Sequence, residues 1–257
     1  MIKLEEILSY YPKELYKFKQ FIFKEYLQYL ILKIIFESKY ANKLSFLGGT
    51  NLRIVHNNTR FSEDLDFDNF GLENNDFIEL SNIIKKELEK NGFQIEIKTI
   101  FKGAYRCSVK IPKLLKDLGF SNYEDEKILI QIDTAPHNFV YKPEVSILNR
   151  FGLVFSINTT PLDIITSQKI YAIFNRNRPK GRDFFDLVFL LSKSKPNLDY
   201  IKDKLGFSTL DETKNELLKF CDKLDFEDLT NDVEIFLFEE SGKNNLKFFK
   251  EIIINTL

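Results

Sequence analysis

Two aspartates two residues apart, Asp64 and Asp66, are the side chains in this sequence best suited to chemistry. Leu65 and Phe67 alternate with them, which predicts a β-strand with its acids on one face. Two carboxylates about 7 Å apart along a strand can hold one divalent cation or a pair of cations. Without a cation their mutual repulsion would raise one pKa. The expected ion is Mg²⁺ or Mn²⁺, because Mg²⁺ binds carboxylate oxygens and substrate phosphates together.

A third carboxylate could come from Asp133, at the end of a second predicted strand at 127–134. Three acids on neighbouring strands suit in-line phosphoryl or nucleotidyl transfer, in which one metal activates the attacking hydroxyl and the other neutralises the leaving triphosphate portion. The alternative for Asp133 is a turn-forming residue before the following Thr-Ala-Pro. Asp68 is expected to be a solvated loop acid.

A glycine pair precedes the acids. The apolar segment 44–47 meets Gly48-Gly49, which predicts a buried strand, a tight turn and then a helix with Thr50 as its N-cap. Glycine lets the backbone approach a phosphate, free N–H groups at a helix start bind anions, and the Thr50 hydroxyl adds a donor. Thirteen residues separate Thr50 from Asp64. That length suits one helix and a return loop, so the two elements should be neighbours on the sheet.

Two charged residues lie inside apolar helical patterns further along the chain, Lys169 and Asp186. A buried charge is costly without a partner. One interpretation places Lys169 opposite the triphosphate in a cleft between the two halves. The alternative is that Lys169 snorkels at the edge of a packed face and that Asp186 forms a structural ion pair with Lys169 or an arginine.

The densest basic segment is 176–182, with four cations on a loop that also holds Pro179 and Gly181. It could contact a triphosphate or an RNA backbone. The alternative is an ordinary solvated connection in which Arg182 and Asp183 pair or cap the next helix. Arg106 and Lys110 alternate on a predicted strand and could add to a basic face.

The stretch FLGGTNLRIVHNNTRFSEDLDFD (46–68) resembles the first motif of the AbiEii/AbiGii-type nucleotidyltransferase toxins, within the DNA polymerase β-like nucleotidyltransferase superfamily. Thr50 stands where the wider superfamily has serine, and the spacing to the acids is the longer one of these toxins. The sequence of residues 60–67 closely resembles the corresponding motif of the family. The preceding long helix and the later KGRDFFDL extend the resemblance to about residues 20–195.

This resemblance implies a metal-dependent nucleotidyltransferase toxin of a toxin–antitoxin or abortive-infection system, with a separately encoded antitoxin and, for some relatives, the tRNA 3′ end as acceptor. Residue patterns and resemblance together assign NTP binding to Gly48, Gly49, Thr50, Arg60, Ser62, Lys169 and Arg182, and catalysis to Asp64, Asp66, Asp133, Lys169 and Asp186. The expected metal ligands are Asp64, Asp66 and Asp133. A small-molecule or protein acceptor, or a non-catalytic NTP-binding defence module, stays as an alternative.

The elements that must position these residues predict an α+β fold. Residues 1–155 are expected to form a nucleotidyltransferase-type mixed sheet with flanking helices, and 156–257 a helical C-terminal domain. Helices are predicted at 14–38 and 76–91, and paired strands at 93–100 and 105–111. A further helix should begin at Thr160-Pro161, with Thr160 as N-cap.

Composition narrows the possible partners. The 257 residues carry 37 basic and 38 acidic side chains, so any nucleic-acid contact needs a local basic patch. Two cysteines without a CxxC pair and two histidines argue against a structural zinc site. His56 and His137 are expected to be structural or surface residues. The N-terminus lacks a signal-peptide pattern and no apolar run could span a membrane, so we expect a cytoplasmic protein.

Overall fold

The computed structural model describes residues 3–257 and shows an α+β protein with two compact units. The first unit contains residues 3–55 and 61–159, and the second contains 56–60 and 160–257. The sequence suggested a division at 155/156. The first unit extends to Thr159 because its last strand ends there.

A seven-stranded mixed sheet forms the centre of the first unit. Its strands are β1 Leu44–Leu47, β2 Leu65–Asn69, β3 Glu96–Lys102, β4 Ala104–Pro112, β5 Lys127–Ala135, β6 Glu144–Arg150 and β7 Leu153–Thr159. The order across the sheet is β3-β4-β5-β2-β1-β7-β6. The β2–β5 and β1–β7 pairs are parallel and the other pairs are antiparallel. The predicted strands at 44–47, around 65–67, at 93–100, 105–111 and 127–134 are therefore confirmed, with small shifts at their ends.

The β6–β7 hairpin was not predicted. Its two-residue turn, Phe151-Gly152, has positive φ at both residues (56° and 71°), as in a type I′ turn. Asparagine, aspartate or glycine usually occupies the first of these positions. Here phenylalanine occupies it, and its buried ring packs against tyrosines that include Tyr26 and Tyr29. Tertiary packing therefore supports a turn that local sequence does not signal.

Five helices flank the sheet in the first unit: α1 Leu4–Leu8, α2 Lys19–Phe36, α3 Gly48–Ile54, α4 Asn74–Lys90 and α5 Leu114–Asp117. The helix predicted at 14–38 begins as a 3₁₀ turn, Lys13–Phe18, before α2. Helix α4 confirms the prediction at 76–91.

The sheet has one buried face and one face that is more open. On β5, Ile128, Ile130 and Ile132 are buried, while Lys127, Leu129, Gln131 and Asp133 on the other face are exposed or half-buried. Helix α4 covers the buried face of β3 and β4, where Phe77 packs against Phe101 and Tyr105. The candidate acids lie on the opposite, more open face.

The second unit is helical. It contains α6 Leu162–Asn175, α7 Gly181–Leu191, α8 Leu198–Leu205, α9 Leu210–Cys221, α10 Phe226–Glu234, α11 Asn244–Lys247 and α12 Phe249–Thr256 around an apolar core that includes Phe184, Phe185 and Phe249. The prediction of Thr160 as N-cap was wrong. Helix α6 begins at Leu162, and Pro161 holds the cap position without a side-chain hydrogen bond. Over residues 3–257, no helix has the length and apolar character needed to cross a membrane.

Candidate functional site

The start of α3 lies directly against the acids of β2. Leu47 pairs with Asp66 across the β1–β2 ladder, and Gly48 follows with φ of +80°. A Cβ atom added at Gly48 would lie 3.0 Å from Asp66 Cγ. Glycine is therefore required here both for its backbone conformation and for the close approach of the Asp66 side chain.

Thr50 does not cap α3, contrary to the prediction. The helix begins at Gly48, so Thr50 is its third residue and is fully buried. Its hydroxyl donates a hydrogen bond to the backbone oxygen of Asp64. This bond ties α3 to the segment that leads into β2. A phosphate contact at Thr50 stays a prediction, and with the hydroxyl engaged it would use the backbone N–H.

The three candidate acids share the open face of the sheet. Asp66 and Asp133 are direct neighbours in the parallel β2–β5 register, so their side chains point to the same side. Asp64 precedes Asp66 by two residues, and its Oδ1 lies 3.4 Å from the backbone N–H of Gln131. Asp133 lies within β5, which continues to Ala135, so the alternative of a turn-forming residue was wrong.

Arg106 binds the third acid. It stands opposite Asp133 in the β4–β5 register, and its Nε and Nη2 donate to the two carboxylate oxygens at 2.8 and 2.9 Å. Such a two-point pair orients a carboxylate firmly. Asp133 is held by Arg106, and its role as a third metal ligand stays a prediction.

The acid pair fits a hard divalent cation. Within residues 3–257, no three His, Cys, Asp or Glu side chains form a ready-made metal site. Mg²⁺ does not need one, because it is commonly held by one or two carboxylates together with substrate phosphates and water. Asp64 and Asp66 provide such carboxylates. Burial raises the pKa of Asp64, with Lys24 acting in the opposite direction. A bound cation would stabilise the ionised carboxylate of Asp64 against this effect of burial.

A cavity of about 380 Å³ opens beside Asp64. Lys24, Glu63 and Phe21 line it on one side and Gln131 on another. Lys24 and Glu63 form an ion pair of 3.1 Å across its wall. This volume lies in the range of small-molecule sites.

Asp68 is not the solvated loop acid expected from sequence. It lies in β2 and is 2% exposed. Its carboxylate accepts hydrogen bonds from the His137 backbone N–H and the Tyr141 hydroxyl, both at 2.9 Å. These bonds hold the segment after β5 against β2, so Asp68 stabilises the sheet beside the acid pair.

A buried charge cluster occupies the second unit. The Arg60 guanidinium donates to both oxygens of Asp186, at 2.7 and 2.5 Å, and Asn58 donates to the same carboxylate at 2.8 Å. Lys169 Nζ lies 2.9 Å from Asp186 and from Asp183. The structural alternative for Asp186, a pair with Lys169 or an arginine, is observed with both cations at once.

The charges in this cluster hold one another ionised. Burial opposes the charge of Lys169, but Asp186 and Asp183 outweigh burial and raise the pKa of the lysine. Burial likewise opposes the charge of Asp186, but Arg60 and Lys169 lower the pKa of that carboxyl. Arg176 Nε lies 2.7 Å from Asp183 Oδ2 without the alignment of a hydrogen bond. The cluster joins α6, α7 and the segment 56–60.

The two remaining predicted NTP-binding residues, Arg182 and Ser62, contact other parts of the chain. The Arg182 guanidinium lies over the Phe236 ring, 5.0 Å from its centre. Ser62 is half-buried, and its backbone oxygen accepts a hydrogen bond from Gln28 at 3.0 Å. The structure therefore brings the predicted residues together as two sets. Gly48, Gly49, Thr50, Asp64, Asp66 and Asp133 meet in the first unit, and Arg60, Lys169 and Asp186 meet in the second.

Sequence reasoning considered Asp183 only as a partner of Arg182 or a cap of the next helix and gave Asn58 no role, yet both residues complete the buried cluster. Asp183 carried a usable signal, because it lies three residues before Asp186 and thus on the same helical face. Asn58 carried none, since its partner lies 128 residues away.

Comparison with solved structures shows a shared fold. The crystal structure of JHP933 from Helicobacter pylori matches with a TM-score of 0.55 and 20% identity, over 91% of each chain. A protein from H. pylori described as a candidate nucleotidyltransferase matches with a TM-score of 0.57 and 21% identity, over 91% of this chain and 94% of the other. No curated protein matches the sequence.

One family profile covers most of the chain. Residues 30–251 match the family described as nucleotidyl transferase AbiEii toxin, type IV toxin–antitoxin system. That span contains the glycine pair, the three acids of the sheet and the buried cluster of the second unit. The chain belongs to the AbiEii nucleotidyltransferase toxin family of toxin–antitoxin systems.

Proposed function

We propose that the protein transfers a nucleotide from an NTP to an acceptor hydroxyl and releases pyrophosphate. The observation that carries this proposal is the contact between the start of α3 and the acid pair, where Gly48 leaves room for the Asp66 carboxylate. Phosphate groups and a metal-binding carboxylate are needed at one point in this reaction, and both can meet there.

Each group of the first unit has a defined task in this reaction. Asp64 and Asp66 would hold Mg²⁺ or Mn²⁺, which supplies charge neutralisation at the phosphates and activation of the acceptor hydroxyl. Gly48 and Gly49 let the triphosphate approach the backbone. The acceptor oxygen forms a bond to the α-phosphorus while the bond to the β-phosphate oxygen breaks, and pyrophosphate leaves with the electron pair.

Asp133 would take the proton from the acceptor hydroxyl or serve as a third ligand. Its neighbour Arg106 holds the carboxylate in a fixed orientation on the same face as Asp66. Arg106 is half-exposed, so it can exchange the carboxylate for a phosphate when substrate arrives.

For the charged residues of the second unit, we propose a structural role. Arg60 and Asp186 are buried, the Lys169 side chain is 11% exposed, and the three bind one another, so we assign them the task of fixing α6, α7 and the segment 56–60. Of the residues predicted to bind NTP, Ser62 and Arg182 are half-buried and could contact it, whereas Arg60 and Lys169 are engaged by Asp186. Membership of a toxin–antitoxin family supports a separately encoded antitoxin as partner.

The proposed acceptor is an RNA 3′ end, with tRNA as the first RNA to test. A cationic small molecule is less suited to the site. Such an acceptor needs an acidic pocket, but this cavity is lined by two lysines, Lys24 and Lys127, as well as by Glu63 and Asp64. The charges there are balanced.

Incubation with each α-labelled NTP, Mg²⁺ and total tRNA tests this proposal. We expect the wild-type protein to move label onto tRNA and Asp66→Asn to move none. Asp222→Asn, an exposed acid that pairs with Lys250, is the matched control and should behave as the wild type. Label found on protein or on a small molecule would show that this molecule, and not RNA, is the acceptor. Absence of transfer to any acceptor would overturn the proposal.

A further inference from the structure

The open face of the sheet carries positive charge on the strands next to the acids. Lys98 and Lys102 on β3 and Lys110 on β4 lie on this face. Both β3 lysines are two residues from Ile100, which stands opposite Arg106, and Lys110 is four residues from Arg106 on β4, so their side chains share the face of Arg106 and Asp133. Lys98 and Lys102 are exposed and Lys110 is half-buried. We call these three lysines, with Ile100 and Leu129, the basic face.

Carboxylates offset only part of the positive charge of this face. Glu96 stands opposite Lys110 in register and attracts that lysine, but its carboxylate pairs with Lys127 at 2.8 Å, and Asp133 pairs with Arg106 at 2.8 Å. In the part of the chain that the structure describes, none of the three lysines has a carboxylate within ion-pair distance. The whole protein has a net charge of −1, so this positive surface is local.

Apolar side chains stand among these cations. Ile100 and Leu129 are 40% and 38% exposed on the same face. Exposed apolar groups between lysines suit a polyanion that also carries flat apolar rings, because its bases can pack on them while its phosphates meet the cations. An acidic protein would use the charge but has less need of the apolar side chains.

The basic face leads to the acid pair without interruption. Lys98 stands opposite Ser108, Ser108 opposite Gln131, and Gln131 contacts Asp64. Three strand spacings separate Lys98 from Asp64, which is about 14 Å. A single strand of nucleic acid lying across β3, β4 and β5 would therefore bring its end to the carboxylates.

We propose that the basic face binds the single-stranded RNA whose 3′ end is the acceptor. This inference rests on the proposed nucleotidyl transfer and adds the surface and the direction of approach. The strand crosses β3 first and reaches Asp64 and Asp66 last. Its phosphates contact Lys98, Lys102 and Lys110, and its bases pack on Ile100 and Leu129.

The salt dependence of RNA binding tests this surface. A fluorescein-labelled 20-nucleotide RNA of mixed sequence is titrated with the full chain in EDTA, where no transfer occurs, at several KCl concentrations. Lys98→Gln with Lys110→Gln removes two phosphate contacts, so the slope of log K against log[KCl] should fall in magnitude by about 1.4. The same slope predicts a loss of affinity of about 25-fold at 0.1 M KCl.

Lys86→Gln with Lys90→Gln is the matched control, because it removes the same charge from α4, on the opposite side of the sheet. It should leave the slope close to that of the wild type. Equal slopes in the two double variants, or no RNA binding by the wild type, would overturn the proposal. Binding of poly-L-glutamate that depends on Lys98 and Lys110, with RNA binding unchanged, would assign the face to an acidic protein instead.

The transfer assay separates this inference from the proposed function. RNA binding that depends on the basic face, without transfer from any NTP, would support the surface and contradict the function. Transfer to RNA that is equally efficient in both double variants would support the function and contradict the surface.

Discussion

Substitution of Asp186 by asparagine should strongly destabilise the protein. Asp186 is fully buried and its carboxylate accepts four hydrogen bonds or ion-pair contacts, from Asn58, twice from Arg60, and from Lys169. Asparagine has nearly the same shape but no charge. In either amide orientation its NH₂ group would face a cationic donor. The substitution also leaves two cations, the buried Arg60 and the largely buried Lys169, with a single buried anion, Asp183.

The expected cost follows from that imbalance. Removal of one partner of a buried ion pair typically costs 3–5 kcal/mol, so Asp186→Asn should lower the free energy of unfolding by about 3 kcal/mol or more. Asp222→Asn, in which an exposed partner of Lys250 is lost, should change it by less than about 0.5 kcal/mol. Urea denaturation of the full chain, followed by circular dichroism, measures both.

A double substitution separates the charge imbalance from simple loss of packing. Arg60→Met together with Asp186→Leu removes both members of the main pair, and should cost less than the sum of the two single substitutions. An Asp186→Asn variant as stable as Asp222→Asn would refute the reasoning. Additive costs in the double variant would likewise show that the two charges do not depend on each other.

Three further predictions concern single positions. Gly48→Ala should abolish nucleotidyl transfer and lower stability by about 1–2 kcal/mol, because φ is +80° there and the new Cβ would displace Asp66; wild-type activity in the transfer assay would contradict this. Gly181→Ala should lower the melting temperature through a loss of about 1–3 kcal/mol, since its Cβ would lie 2.8 Å from the Leu229 carbonyl carbon; an unchanged melting temperature would show that the two helices separate freely. Burial, with a smaller contribution from Lys193, lowers the pKa of His56 to about 4 from 6.5. Between these pH values the unfolded chain therefore binds a proton at His56 that the folded chain does not bind. The stability of the wild type should then fall relative to that of His56→Gln as the pH drops from 6.5 to 4. Urea midpoints of the two proteins that change in parallel across that range would contradict this prediction.

The acid pair and the glycine pair could be located from sequence because both are local signals. The alternation around Asp64 and Asp66 defines a strand, and Gly48-Gly49 after an apolar run defines a strand-to-helix turn. The details at single residues could not be obtained in this way. Thr50 is drawn into the helix by its bond to the Asp64 carbonyl, which lies 14 residues away.

Long-range partners account for the rest. Asp68 resembled a loop acid because its hydrogen-bond donors, His137 and Tyr141, come about 70 residues later. Arg60 belonged to a motif near the acids, yet its guanidinium binds Asp186, 126 residues further along the chain. The need for a partner at Asp186 was readable from its apolar surroundings, but the identity of the partner depends on the tertiary fold.

The most direct test of nucleotidyl transfer at Asp64 and Asp66 compares ATP, CTP, GTP and UTP labelled at the α- or the γ-phosphate. With wild-type protein, Mg²⁺ and tRNA, the account predicts that α-label from at least one NTP appears on the RNA while γ-label appears only in pyrophosphate. Asp64→Asn and Asp66→Asn should each abolish α-label on the RNA and γ-label in pyrophosphate, while the variants stay folded in the absence of NTP. Transfer of γ-label to the acceptor, or α-label transfer that survives in both variants, would contradict the account.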